Sequence, residues 1–182
     1  SEVLASLQQS ADIAAINDGL AKYARASETV KSAVQMLENH RLGLCRQRAK
    51  EMRAAASGED LILMNEQIVQ ADQYVSDEVV REKKALSLRF QSVTEQVLTD
   101  IRDLTRTKDF ERVDFACEKY KGYPETIRPR WQELMGHRKE LLEMARRELE
   151  KARKGSNPRQ ISEVLAVVEK YGKAIGPERV AL

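Results

Sequence analysis

The stretch DIAAINDGLAKY, residues 12–23, returns in the second half of the chain as DFERVDFACEKY, residues 109–120. Both open on an aspartate followed by a large apolar residue, Ile13 or Phe110. Both then place apolar residues at helical spacing, Ile16 and Leu20 in one, Val113 and Cys117 in the other, and close on lysine-tyrosine. The match continues downstream at identical offsets. Val30, Val34, Leu37, His40-Arg41 and Leu44 answer to Ile127, Trp131, Leu134, His137-Arg138 and Leu141. Apolar residues three and four apart share one helical face. Self-similarity over such a length means that one supersecondary unit is repeated.

Anchored on tyrosine, four copies appear, at Tyr23, Tyr74, Tyr120 and Tyr171, with successive spacings of 51, 46 and 51. The fourth keeps Ile161, Val164, Val168 and Lys170. The second is the most diverged: Met64 and Ala71 hold two positions, Gln67 stands between them, and Gln91-Ser92 replaces His-Arg. Ala85 and Leu88 then match Val34 and Leu37. Each copy reads as a short helix followed by a long one. The short helices are expected over about 11–26, 59–75, 109–122 and 158–174, the long ones over about 28–56, 77–107 and 124–154.

Breakers fall where this scheme needs them. Ser27 and Ser76 are N-cap candidates, with Glu28 and Asp77-Glu78 in the first turn, where carboxylates complement the helix dipole. Pro124 suits a first-turn position that needs no donor. Asn157-Pro158-Arg159-Gln160 combines a capping Asn, a first-turn Pro and a Gln at the capping-box position. Ser57-Gly58 and Gly155-Ser156 end the preceding helices.

A helix of about 30 residues rises about 45 Å, so a short helix covers only half of its long neighbour. The rest must pack on the next long helix, and neighbouring copies share a core. The expected fold is all-α: an elongated array of three and a half hairpins or a spectrin-like bundle, not a compact four-helix bundle. Residues 1–182 form one helical-repeat segment, with copies over 11–57, 58–108, 109–156 and 157–182. Leu4 and Leu7 precede Tyr23 as Ile101 and Leu104 precede Tyr120, so the chain opens inside a helical pattern. Gly176-Pro177-Glu178-Arg179-Val180 starts a new helix before Leu182. A segment of a longer repeat protein is expected, able to self-associate through the faces of its end copies.

Composition agrees with an all-α chain: 42% apolar and 33% charged residues with only 8 Gly and 4 Pro. The net charge of +2, from 31 basic and 29 acidic residues, is too balanced for nucleic-acid binding by bulk electrostatics. Cys45 and Cys117 make no disulfide framework and are expected as reduced thiols in a cytoplasmic setting. No apolar run approaches the roughly 18 residues that a membrane span requires.

Few residues suggest chemistry. His40-Arg41 and His137-Arg138 hold the only histidines, at equivalent positions. No third ligand recurs beside them, whereas zinc needs three or four. An interface role is expected, with the arginine reaching a carboxylate on an adjacent helix. The four tyrosines are expected to pack across the inter-helix turns with their hydroxyls at the rim. Lys22, Lys119 and Lys170 beside them are expected as solvated charges near helix ends. Trp131 takes the place of Val34 and is expected in the core. The most basic stretch, residues 146–154, carries Arg146, Arg147, Lys151, Arg153 and Lys154 interleaved with glutamates, the pattern of a solvated helix face. These five residues are nevertheless the candidate partner-binding surface, for acidic tails, anionic lipid or RNA. Lys154-Gly155-Ser156 resembles the end of a phosphate loop but lacks its first glycine. No catalytic residue, cofactor or metal is assigned.

The combined pattern (Asp-Ile/Phe, Ile/Val, Lys-Tyr, Val/Ile, Leu-x-x-His-Arg) resembles the long/short helix repeats of large cytoskeletal and ciliary scaffold proteins. The resemblance implies a non-enzymatic scaffold that binds other proteins in the cytoskeleton or cilium. The alternative is a basic-surface module.

Overall fold

The structure, a computed structural model, describes residues 2–24, 28–155, 158–169 and 171. The fold is all-α. In chain order the helices are α1 (Glu2–Leu7), α2 (Ile13–Tyr23), α3 (Glu28–Ala56), α4 (Leu61–Gln70), α5 (Asp77–Leu104), α6 (Phe110–Lys119), α7 (Arg128–Gly155) and α8 (Pro158–Val168). A 3-10 turn, Ala71–Gln73, follows α4. Short and long helices alternate: α2, α4 and α6 have 11, 10 and 10 residues, α3, α5 and α7 have 29, 28 and 28.

Aspartates start α2, α4 and α6. Asp12, Asp60 and Asp109 share one extended backbone conformation, with φ of −78° and ψ of 97°, 98° and 93°. The Asp12 carboxylate accepts from the Ala14 and Ala15 amides, Asp60 from Ile62 and Leu63, and Asp109 from Arg112. Each cap satisfies first-turn donors that have no helical partner. Successive short helices start at Ile13, Leu61, Phe110 and Pro158, an almost even spacing along the chain.

This spacing corrects the tyrosine count. Tyr23 and Tyr120 stand at equal distance from their capping aspartates, but the residue at that distance from Asp60 is Ala71, which is buried. Tyr74 lies three positions further on, and Tyr171 stands to Tyr74 as Tyr120 stands to Tyr23. The tyrosines are therefore two pairs, Tyr23 with Tyr120 and Tyr74 with Tyr171, and not four equivalents. Ala85 and Leu88 are correspondingly exposed, and Leu86 fills the core place. Relative to the cap, Tyr74 is displaced by three positions and the following long helix by only one, a net slip of two. In the cap register, Leu37, Leu86 and Leu134 hold one place relative to the next short helix, and each is fully buried.

A second device recurs with the caps. His40 Nε2 lies 2.7 Å from the Ser10 carbonyl, and His137 Nε2 lies 2.7 Å from that of Thr107. At the matching position in the second copy, Arg89 Nη2 donates to the Gly58 carbonyl at 3.5 Å. Each acceptor is the residue two before a capping aspartate, and the three donors hold one place relative to the start of the next short helix. The side chains pin the loops entering α2, α4 and α6 to the middle of the following long helices. A carbonyl accepts only from N–H, so both imidazoles carry their proton on Nε2.

Two compact units are present, Ser1–Val93 and Thr94–Leu182. In the first, Leu4, Ile16 and Leu37 form a core with Leu7, Leu20, Tyr23, Val30 and Val34 packed on it. Gly19 admits α1 here, since a Cβ at that position would lie 2.5 Å from Leu7 Cδ1. The α4 helix packs on α3. In the second unit α6 and α8 pack on α7. Ile101, Val113 and Leu134, which stand to Tyr120 as the first-unit trio stands to Tyr23, are also fully buried. Ala145 and Leu149 gather Leu142, Val164, Leu165 and Tyr171 in a further cluster.

The long helix α7 begins at Arg128, not at Pro124. Residues 125–127 form a turn in which the Ile127 amide bonds the Pro124 carbonyl. Pro129 explains the delay: a helix from residue 124 would need its amide, which proline lacks, so Pro129 must sit in the first turn. Gly122, at φ +83°, makes the turn out of α6. Ser76 caps α5, accepting from the Val79 amide at 3.2 Å. The Ser57 and Gly58 amides close the end of α3 on Ala54 and Ala55. The expected features at Ser27, Ser156, Asn157, Lys170 and Gly176–Val180 lie outside the described residues, as do the side chains of Glu28, Gln160 and Val168.

Candidate functional site

The basic end of α7 is a solvated face. Arg146, Arg147, Lys151, Arg153 and Lys154 are all exposed, while Ala145, Leu149 and Ala152 of the same turns are buried. Lys151 pairs with Glu148 at 2.7 Å and Lys154 with Glu150 at 2.8 Å. The Lys154 hydrogen bond holds the Glu150 carboxyl below the usual carboxylate range. Pairs of this kind along one helix face are weak and lower the local positive potential.

The histidines, arginines and aromatic residues serve the packing. His40 and His137 are each committed to a carbonyl within their own unit. Arg41 donates to the Val75 carbonyl at 3.1 Å, whereas Arg138 pairs with Asp114 and lies 5.8 Å from the centre of the Phe110 ring. Among the described residues, Arg138 reaches a carboxylate on a neighbouring helix, and Arg41 reaches Glu38 on its own. Trp131 is half-buried and donates to the Cys117 carbonyl at 2.8 Å. Tyr23 and Tyr74 are half-buried, with Lys22 and Arg48 over their rings. Among the described residues no group of three His, Cys, Asp or Glu could hold a metal ion.

Two buried acids raise a pH dependence. Burial pushes the Cys117 thiol from 9.0 to about 11, with Asp114 and Glu118 adding and Arg138 opposing. Burial also pushes the Tyr120 phenol from 10.0 to about 12, helped by Asp100, whose carboxylate accepts from the hydroxyl. Both folded values lie above the unfolded ones, so the stabilisation is complete below about pH 9 and falls as pH rises through these values. Urea unfolding at pH 11 should show stability lower than at pH 8 by on the order of 3 kcal/mol for the two groups together. Cys117→Ala and Tyr120→Phe should each flatten part of that slope. A slope unchanged by both would contradict the assignment.

Among the described residues, the most exposed large apolar side chain is not apparent in the sequence. Phe115 is 70% exposed on α6 and edges a groove of about 360 Å³ between that helix and the end of α5. Arg112 and Lys119, one turn to either side, line it on α6, and Asp100 and Asp103 line it on α5. Ala116 stands at its floor where the first unit has Gly19. There the glycine admits Leu7, and an alanine needs more room between the two helices. A signal does exist: the places of Phe115 in the other copies hold Asp18, Glu66 and Glu163. On α4, Ile62, Leu63 and Val69 are likewise apolar and exposed. Compared with protein families, curated proteins and solved structures, the chain matches none.

Proposed function

We propose that this chain is a non-enzymatic helical-repeat scaffold segment that holds other proteins, its copies stacked as an elongated array of hairpins. The observation that carries the proposal is the division of labour within the first three copies. Cap, latch and core leucine recur at nearly even intervals, while the outward position changes from acid to phenylalanine and back, through Asp18, Glu66, Phe115 and Glu163. A scaffold repeats what builds it and varies what it presents. Phe115 is the anchor of choice, since an aromatic side chain at a groove with charges at its rim fits the usual anatomy of a binding hot spot. The resemblance to cytoskeletal and ciliary long/short helix scaffolds makes such an assembly the setting to examine. The pairing of Lys151 and Lys154 with glutamates weighs against the basic-surface alternative.

The test is affinity capture with the intact chain, Phe115→Asp, and a charge-reversed Arg146/Arg147/Lys151/Arg153 variant over a salt series. Partners should survive salt and charge reversal and be lost about tenfold or more with Phe115→Asp. Partners lost with salt and charge reversal alone would establish the basic surface instead, and no partner under any condition would overturn the scaffold proposal.

A further inference from the structure

Between α7 and α8 lies a cavity of about 350 Å³ walled by Met144, Ala145 and Glu148 on one side and Glu163, Val164 and Tyr171 on the other. Setting the start of α8 at Pro158 over the start of α4 at Leu61 brings the two helix junctions into register. Ala145, Glu148, Val164 and Tyr171 then answer to Arg48, Glu51, Gln67 and Tyr74. In the first unit those four make one polar knot. The Arg48 guanidinium donates to Gln67 Oε1 at 2.8 Å, to Gln70 Oε1 at 2.9 Å and to the Tyr74 hydroxyl at 3.3 Å. It also pairs with Glu51 at 3.2 Å and lies 4.9 Å from the centre of the Tyr74 ring. Around α8 the tyrosine and the carboxylate are kept, but the arginine is an alanine. The cavity is lined by Ala145, which holds in this register the position of Arg48 in the first unit.

We infer that this cavity receives an arginine side chain from a partner segment, seated as Arg48 is seated on its own. The inference rests on the proposal that this chain binds other proteins, and names the chemistry one partner must carry. Tyr171, its ring fixed by stacking on Phe110 at 4.5 Å, offers an aromatic face for the guanidinium. Glu148 and Glu163 supply two carboxylates for its fork, while Met144 and Val164 offer apolar surface for the stem. Glu163 takes over the acceptor role that Gln67 plays in the first unit, since Val164 has none. Lysine fits less well, because an ammonium lacks the planar fork and stacks poorly. Two neighbours oppose entry. Lys108 also lines the cavity, and Lys151 already holds Glu148 at 2.7 Å and must be displaced.

The test uses backbone NMR of the full chain titrated with Nα-acetyl-arginine methylamide, and with the citrulline analogue as a neutral control of the same shape. Saturable shifts at Ala145, Val164 and Tyr171 should appear with the arginine probe at roughly millimolar concentration and not with citrulline. Glu163→Gln, a surface change that leaves the fold intact, should weaken the probe about threefold. Ala145→Arg should fill the cavity from within and abolish the shifts. Equal shifts with citrulline, or none with arginine, would overturn the inference, as would full binding to Glu163→Gln. Partner capture is scored separately. A partner released by Phe115→Asp but kept by Ala145→Arg removes the arginine pocket and leaves the scaffold standing, whereas probe binding with no partner captured supports the pocket and removes the scaffold.

Discussion

Replacing Leu37 or Leu134 by alanine is expected to cost about 3 kcal/mol in each case, while Leu88→Ala should change stability by less than about 0.5 kcal/mol. Leu37 and Leu134 are fully buried, and Leu88 is 60% exposed. Truncating a buried leucine loses the transfer free energy of its methyl groups and leaves a cavity that close-packed surroundings fill only in part. Leu37 touches elements from both sides, since Leu4 of α1 and Ile16 of α2 meet on it. A loss of that size is a large share of the stability of an ordinary domain. Leucine truncation also separates two registers for the second copy. Counting from Tyr74 makes Leu88 the core leucine, whereas counting from the start of α6 makes it Leu86. Urea denaturation of Leu86→Ala and Leu88→Ala should therefore give one large and one negligible loss, and the reverse order would restore the tyrosine register.

Phe110→Ala is expected to cost about 4 kcal/mol, more than Ile13→Ala at the matching place in the first copy, at about 3 kcal/mol. Both side chains are buried, at 4% and 2% exposure. The phenylalanine carries two further contacts: Tyr171 stacks on it with the planes 28° apart, and the Arg138 guanidinium lies over it. An aromatic pair adds roughly 1 kcal/mol beyond the area it buries. The loss should also be local. Tyr171 and the α8 residues that pack on Ala145 and Leu149 lose one wall, so hydrogen exchange should accelerate in α8 well before α7. Uniform exchange along both helices would show that the ring does not tie α8 down.

The helices are legible in the sequence because their breakers are local. Ser57-Gly58, Ser76 and Pro158 bound long and short elements, and α3 ends where expected. The start of α7 is misread because Pro124 and Pro129 compete for one role, and only the missing amide of Pro129 decides between them. The repeat is legible in its odd copies, where Tyr23 and Tyr120 share a place. It slips in the second, where Ala71 holds that place and Tyr74 packs under Arg48 instead. Asp12 and Asp109 open the recurring stretch in plain view, yet their capping role, and that of Asp60, emerges only with the helix starts. The latch is half legible. Two histidines at equal offsets stand out, but Arg89 performs the same act with a different side chain, which no residue-by-residue comparison reveals. Phe115 and Ala145, which stands where the first unit has Arg48, stay hidden for the opposite reason: each departs from the pattern, and departures acquire meaning only once the register is right.

The repeat architecture requires that equal distance from a short-helix start give equal surroundings. Nuclear Overhauser spectroscopy on the intact chain tests this most directly. Cross-peaks are expected from the His40 ring to the Ser10–Ala11 backbone, from the Arg89 side chain to Gly58–Glu59, and from the His137 ring to Thr107–Lys108. If the two histidine rings contact unrelated residues, or Arg89 contacts neither the Gly58 loop nor its neighbours, the copies are not equivalent and the repeat architecture is contradicted.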